Sequence, residues 1–134
     1  QAEATLASAI QIGNPVSIHR AIRALNAHDG VVEQASEEAL MDACARADQA
    51  GFFTCPHTGV ALAGLDALRR QGTITAEERV VVVSTAHGLK FADTKVAYHD
   101  ARLDGLASRY ANRPVALSAT LDAVVEALET RLGL

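Results

Sequence analysis

The chain has 134 residues, of which 49% are hydrophobic and only 4% aromatic, so we expect one domain filled by aliphatic side chains and alanine. The net charge is −4 with scattered basic residues, which argues against a nucleic-acid partner. No apolar run reaches the roughly 20 residues of a membrane span, and no signal peptide is evident, so we expect no membrane partner. The two cysteines, Cys44 and Cys55, are therefore expected to be free thiols in a reducing compartment, the cytoplasm. Because the sequence starts with Gln rather than Met, we expect it to lie within a longer chain.

The first part of the chain predicts two helices joined by a short strand. The first helix follows a possible N-cap at Ser17 and closes at the turn 28–30, because its apolar residues recur at helical spacing. These residues are Ile18, Ala21, Ile22 and Leu25. Residues 31–32 predict a short strand, and Ser36 followed by two glutamates predicts the start of the second helix. Its predicted buried stripe consists of Leu40, Met41, Cys44 and Ala47.

The second part continues the alternation. Gly51 ends the second helix, residues 52–53 are expected to be extended, and residues 58–68 predict a third helix. The four valines at 80–83 predict a buried strand. A looser, partly helical passage at 95–110 precedes a final helix capped by Ser118 or Thr120. The predicted apolar face of that helix consists of Leu121, Val124, Val125, Leu128 and Leu132.

This alternation indicates an α/β fold, as part of a three-layer open sheet with helices on both faces. In such sheets, ligands bind in the crevice beyond the carboxyl ends of the strands. Ser84 and Thr85 directly follow the valine strand, where that rule places a site. A neutral hydroxyl that both donates and accepts suits the ring nitrogen of a heteroaromatic ligand. Ala86 and Gly88 keep the next loop thin, which would let a flat ligand approach; the alternative is that both hydroxyls only cap the end of the strand.

Two other groups of residues carry weaker signals. Cys55 and His57 are a possible metal site or nucleophile pair, but the chain offers too few further ligands and no orienting third residue. We therefore favour a loop that enters the third helix, and predict no metal. Lys90 and Lys95, the only lysines, could supply an amine for Schiff-base chemistry, but their polar surroundings favour surface charge.

Three segments resemble a known family when taken together. They are SAIQIGNPVSIHRAI at 8–22, CPHTGVAL at 55–62 and VVVSTAHGLKF at 81–91. In this order they resemble the carboxy-terminal part of threonine synthase, in the branch shared by plants and many bacteria. The resemblance implies a pyridoxal-phosphate enzyme of fold type II, the tryptophan-synthase-β type. Residues 1–134 would be the carboxy-terminal segment of the large cofactor-binding domain, about the last third of the enzyme.

The resemblance also implies an activity and cofactor-binding residues. Members convert O-phosphohomoserine and water into threonine and phosphate, usually as homodimers. Thr85 occupies the position whose hydroxyl hydrogen-bonds the pyridine nitrogen of the cofactor, and a hydroxyl moderates the electron sink that the ring provides. Ala9, Ile10 and Gly13 fall in the family segment that runs past the cofactor ring.

The resemblance places the cofactor-binding lysine and the phosphate-binding loop upstream of these residues. It transfers no catalytic role to Lys90 or Lys95, so no catalytic residue is predicted in this chain, which alone should be inactive. Two alternatives remain at this stage. One is another enzyme of the same fold type, a serine or threonine dehydratase. The other is a non-catalytic α/β interaction module whose exposed apolar faces bind a partner.

Overall fold

A computed structural model describes residues 2–133 as five helices and two short 3-10 turns. The 3-10 turns span Ser8–Ile10 and Gly88–Phe91. The helices are α1 (Ile18–Ala27), α2 (Glu37–Gln49), α3 (Pro56–Arg70), α4 (Ala92–His99) and α5 (Leu121–Leu132). Within the described residues, no helix has both the length and the apolar character needed to cross a bilayer.

The centre of the molecule is the pair formed by α2 and α3. The Ser36 side chain accepts a hydrogen bond from the backbone N–H of Ala39 and so caps α2, as predicted. Three of the four residues predicted for its buried stripe, Leu40, Met41 and Cys44, are buried, and Ala47 is half-buried. Gly59 of α3 permits close contact, because a Cβ built there would lie 2.4 Å from the carbonyl oxygen of Leu40.

Helix α4 completes this core through Tyr98. The ring is buried against Leu40 and Met41, and its hydroxyl donates to Asp42 of α2 at 2.5 Å. The same hydroxyl accepts from the backbone N–H of Tyr110 at 3.2 Å. Helix α4 starts at Ala92 and ends at His99. The helical part of the passage predicted at 95–110 therefore starts earlier and is shorter than expected.

Lys95 is buried, so its interpretation as a surface charge was wrong. Its side chain is 3% exposed and its ammonium group donates to the Asp48 carboxylate and to the Thr54 carbonyl oxygen, both at 2.8 Å. It also lies 4.4 Å from the centre of the Phe53 ring. A buried ammonium needs such partners, and they come from segments more than forty positions away. Lys90 is exposed, as predicted.

The predicted sheet is not confirmed. The only β-type pairing in residues 2–133 is a single antiparallel bridge between Thr54 and His87. The valine segment 80–83 is not in a strand, and Val81 and Val83 are 89% and 73% exposed. Residues 31–32 and 52–53 are not in strands either. A strand is stabilised by hydrogen bonds to a neighbouring strand, and the described part of the chain offers the valines none.

The first and last helices form where predicted but bury no residue. Ser17 precedes α1 without a side-chain capping bond, so its predicted capping role is wrong. Thr120 caps α5 by accepting from the N–H of Ala123. The predicted apolar faces of both helices remain largely open to solvent, including Ile18, Ile22, Leu121, Val124, Val125, Leu128 and Leu132.

Candidate functional site

The first turn of α3 is the place where the three motif segments meet. Cys55 precedes the helix in an extended conformation, and Pro56 occupies the first turn, where its missing N–H leaves no bond unmade. Thr58 lies three residues after Cys55, on the same side of that turn. Cys55 and Thr58 are both buried.

The two hydroxyls that follow the valines approach this turn. The Thr85 hydroxyl lies 3.8 Å from the Cys55 sulfur, and the Ser84 hydroxyl lies 3.2 Å from that of Thr58. The Cys55 sulfur and the Thr58 hydroxyl are themselves 3.3 Å apart. Ser84, Thr58, Cys55 and Thr85 therefore form a continuous row of hydrogen-bonding groups, which we call the hydroxyl–thiol row. Its outer members, Ser84 and Thr85, are exposed.

The 8–22 segment reaches the same turn through Ala9. The backbone N–H of Ala9 donates to Nε2 of His57 at 2.9 Å, so the 3-10 turn Ser8–Ile10 lies beside the start of α3. Ile10 belongs to this turn and is exposed. Gly13 lies further along, in the exposed stretch that leads into α1. The structure thus brings Thr85 and Ala9 to one end of α3, with Ile10 next to Ala9.

The electrostatics of this end of α3 are set by Cys55. Burial raises the pKa of its thiol, but hydrogen bonds from the side chain and backbone of Thr58, from His57 and from Thr85 outweigh burial and lower the pKa to about 6. Cys44, the other free and buried thiol, has its pKa raised by burial. Both cysteines are free, as predicted. In the described part of the chain, no group of three or more His, Cys, Asp or Glu side chains is arranged to hold a metal ion.

The loop after Thr85 is fixed by packing. His87 pairs with Thr54, and its ring meets that of Phe53 edge to face, with centres 5.6 Å apart. A Cβ on Gly88 would lie 2.8 Å from the Phe53 ring and 2.9 Å from the Thr54 carbonyl oxygen. Gly88 is therefore required for packing inside the protein, and its role in keeping the loop thin for a ligand stays a prediction.

A cavity of about 640 Å³ opens beside the Ser84–Thr58 end of the row, and Cys55 and Thr85 do not line it. Polar groups at its wall come from Thr54, Thr58, Ser84 and His87. The remainder of the wall is mostly apolar, contributed by Ala47, Gly51, Phe52, Phe53, Leu62, Val82 and Ala86. A largely apolar wall with a few convergent polar groups is typical of a small-molecule site.

Thr58 and Cys55 were missed as partners of the predicted hydroxyls. Their three-residue spacing at the start of a helix was the available signal, since such residues lie on one face. The contact of Ser84 with Thr58 spans 26 positions, so nothing local in the sequence predicts it.

Comparison with known proteins gives several relatives with one name. Over 132 residues, 98% of this chain, 54% of the residues are identical to threonine synthase 2, chloroplastic, of Arabidopsis thaliana, of which 26% is covered. A threonine synthase of Methanocaldococcus jannaschii is 37% identical over 69% of the chain and 23% of its own length. One of Methanosarcina acetivorans is 31% identical over 92% of the chain and 28% of its own length.

The chain thus spans about a quarter of the length of these relatives, rather than the third expected. The family model "Pyridoxal-phosphate dependent enzyme" matches residues 1–86, which include the Ser8–Ile10 turn, the start of α3 and both outer hydroxyls of the row. By this match over more than half of its length, the chain belongs to the pyridoxal-phosphate dependent enzymes of fold type II.

Proposed function

We propose that this chain is the carboxy-terminal segment, residues 1–134, of the large cofactor-binding domain of a threonine synthase. The whole enzyme would convert O-phosphohomoserine and water into L-threonine and phosphate. The observation that carries the proposal is the 54% identity to a threonine synthase over nearly the entire chain. Two archaeal relatives with the same name support it at lower identity.

The missing part of the enzyme would complete the fold. We propose that residues 80–83 form a strand of an α/β open sheet once neighbouring strands are present, with helices on both faces. The exposure of Val81 and Val83 supports this, because β-branched residues favour strands and gain free energy on burial. The upstream part would also supply the lysine and the phosphate-binding loop. We further propose a homodimer in a reducing compartment, the cytoplasm, in keeping with the free thiols.

The residues at the start of α3 fit the ring of pyridoxal phosphate. Thr85 offers an exposed neutral hydroxyl whose inner side is already held by the Cys55 sulfur. Its outer side is free of a carboxylate partner in the described residues, which suits an uncharged pyridine nitrogen. Ala9, Ile10 and Gly13 would line the face of the ring, with the Ala9 backbone fixed by His57.

When bound, the cofactor supplies the electron sink that stabilises carbanions of the substrate. The task of this chain is to hold and orient it. Thr85 would donate a hydrogen bond to the ring nitrogen, and the packing of His87 and Gly88 against Thr54 and Phe53 would keep Thr85 at a fixed distance from α3. Preorganised donors of this kind cost little reorganisation during the reaction.

The reaction is tested on the whole protein that carries this chain, supplied with pyridoxal phosphate and O-phosphohomoserine. We expect phosphate release matched by threonine formation. A folded, cofactor-loaded protein that releases no phosphate, but deaminates serine or threonine to a 2-oxo acid, would show that the fold type is right and the substrate wrong.

The role of Thr85 is tested by Thr85→Asp in the same protein. A carboxylate would favour a protonated ring nitrogen, so the absorbance of the bound cofactor should shift and turnover should fall by at least roughly tenfold, as expected when a positioned polar group is replaced. Ser118→Asp, an exposed position outside the site, is the control. Unchanged absorbance and turnover in Thr85→Asp would remove Thr85 from the site.

A further inference from the structure

The hydroxyl–thiol row contains one transferable hydrogen per member. Ser84, Thr58 and Thr85 each carry one hydroxyl hydrogen, and Cys55 carries one thiol hydrogen when protonated. The three contacts between successive members are 3.2, 3.3 and 3.8 Å long, and in each of them either atom can be the donor. A row with four hydrogens and three internal bonds leaves one member whose hydrogen makes no bond within the row.

Four arrangements satisfy every internal contact, one for each member whose hydrogen makes no bond within the row. Only one of them leaves the Thr85 hydrogen free: Ser84 donates to Thr58, Thr58 to Cys55 and Cys55 to Thr85. In the other three, Thr85 donates to Cys55. A ligand atom that can only accept, such as an unprotonated ring nitrogen, selects the first arrangement when it lies at Thr85.

We propose that Cys55 is a positioning residue for Thr85, because its thiol hydrogen donates to the Thr85 oxygen and leaves the Thr85 hydroxyl free to donate to the cofactor ring. This inference rests on the proposed function and adds to it a residue that does not touch the cofactor itself. Cys55 suits this role because it is fully buried at the rigid start of α3.

The protonation state of Cys55 decides which atom donates in each hydrogen bond of the row. Without the thiol hydrogen, Thr58 and Thr85 both donate to the sulfur, and no hydrogen remains at Thr85 for a ligand. An acceptor at Thr85 therefore favours the protonated thiol, so cofactor binding and protonation of Cys55 favour each other.

Other titratable groups face this sulfur from neighbouring elements. His57 of α3 lowers the pKa of Cys55, and the Cys44 thiol of α2 donates to the Cys55 carbonyl oxygen at 3.2 Å. On the α4 side, the Lys95 ammonium group donates to the carbonyl oxygen of Thr54, the residue before Cys55. The same ammonium group is paired with the Asp48 carboxylate. Since Nε2 of His57 accepts from Ala9, a neutral His57 ring carries its hydrogen on Nδ1.

The test uses the whole enzyme, freed of cofactor and titrated with pyridoxal phosphate while the absorbance of the bound cofactor is followed from pH 6 to 9. Cys55→Ala removes the donor, and Cys55→Ser restores one hydrogen at the same position. Cys44→Ala removes the same atoms from the other buried thiol, which does not contact Thr85, and serves as the matched control. Thr85→Val reports the effect of removing the proposed ring partner.

We expect Cys55→Ala to bind the cofactor roughly fivefold more weakly, the effect of one neutral hydrogen bond, and to shift its absorbance in the direction seen for Thr85→Val. Cys55→Ser should return both properties towards those of the unmodified enzyme, and Cys44→Ala should leave the absorbance unchanged. A folded Cys55→Ala variant with the original affinity and absorbance, beside a shifted Thr85→Val, would overturn the role of Cys55 and leave the proposed function intact.

Two further outcomes are decided by the same series. If Thr85→Val is also unchanged, the assignment of Thr85 in the proposed function fails, and the role of Cys55 fails with it. If Cys55→Ala does not fold, Cys55→Val removes the same donor while filling more of the buried space. It should give the changes expected of Cys55→Ala, and an unchanged affinity and absorbance there would overturn the proposal.

Discussion

The α2–α3–α4 region and the flanking helices α1 and α5 have similarly apolar sequences but opposite surroundings. In the first region, Leu40, Met41 and Tyr98 are buried against one another. In the second, apolar side chains of comparable size, such as Ile22 and Leu128, are 45% and 50% exposed. An amphipathic pattern therefore forms a helix in both regions. Its apolar face is buried only where another element of the described chain packs against it.

The difference separates two sources of stability. The central helices are held by contacts that residues 2–133 supply themselves, including the buried Lys95–Asp48 pair. Helices α1 and α5 and the valines at 80–83 present apolar surface whose burial would be favourable. Mutations should therefore have large effects in the centre and small ones in the flanks, until the remainder of the enzyme is present.

The largest effect is expected from Lys95→Met, which leaves Asp48 without its buried ammonium partner. Removing one member of a buried ion pair costs about 3–5 kcal/mol of unfolding free energy. Urea unfolding of the chain measures this change. Lys90 is the only other lysine and is exposed, so Lys90→Met is the control. It should alter the unfolding free energy by less than about 0.5 kcal/mol. Equal effects of both variants would contradict the burial of Lys95.

The comparison is sharpened by truncating one leucine in each region. Leu40→Ala should lower the unfolding free energy by about 2–5 kcal/mol, because Leu40 is 1% exposed. Leu128→Ala in α5 should cost less than about 0.5 kcal/mol in this chain. In the whole enzyme, the cost of Leu128→Ala should exceed about 1 kcal/mol if the missing part covers α5. A cost that stays small there would show that this face remains in solvent.

Two glycines of α3 probe the contact with α2. Gly59→Ala places a Cβ 2.4 Å from the Leu40 carbonyl oxygen and 2.7 Å from the Cys44 sulfur, and should cost about 1–3 kcal/mol by overpacking. At Gly64 the nearest atom is the Glu33 Cβ at 3.7 Å, so Gly64→Ala should stabilise by up to about 1 kcal/mol through helix propensity. Thermal unfolding of both variants decides the matter, and a stabilising Gly59→Ala would refute the close packing.

The smallest effect is expected at the helix starts. Ser36→Ala removes the capping bond to Ala39 and should cost about 1 kcal/mol. Ser17→Ala should be nearly neutral, since Ser17 precedes α1 without such a bond. Circular dichroism during urea unfolding follows both variants. A loss for Ser17→Ala as large as that for Ser36→Ala would mean that the two regions start their helices in the same way.

The helices could be predicted because their signals are local. Ser36, Gly51 and Thr120 mark ends that depend on a few neighbouring residues. The burial of Lys95 could not be predicted, since Asp48 lies 47 positions away. The four valines are typical of a strand, but strand formation also requires a partner, which residues 2–133 lack.

The candidate site was predictable only in part. Polar side chains at the end of the valine segment pointed to Ser84 and Thr85, and the family resemblance selected Thr85. The contacts that join them to Cys55 and Thr58 arise from tertiary packing across 30 and 26 positions. Local sequence reasoning therefore found the ends of the hydroxyl–thiol row, and the fold supplied its middle.

The contact between Gly88 and Phe53 has a consequence for how this sequence can diverge. Any side chain at position 88 would collide with the Phe53 ring, and that ring also covers the Lys95 ammonium group. A smaller residue at 53 would not make room for it, because the backbone carbonyl oxygen of Thr54 also lies 2.9 Å from a Cβ there. Among homologous sequences, we therefore expect glycine to be kept at position 88, and positions 53 and 95 to covary because the ring and the ammonium group are in contact.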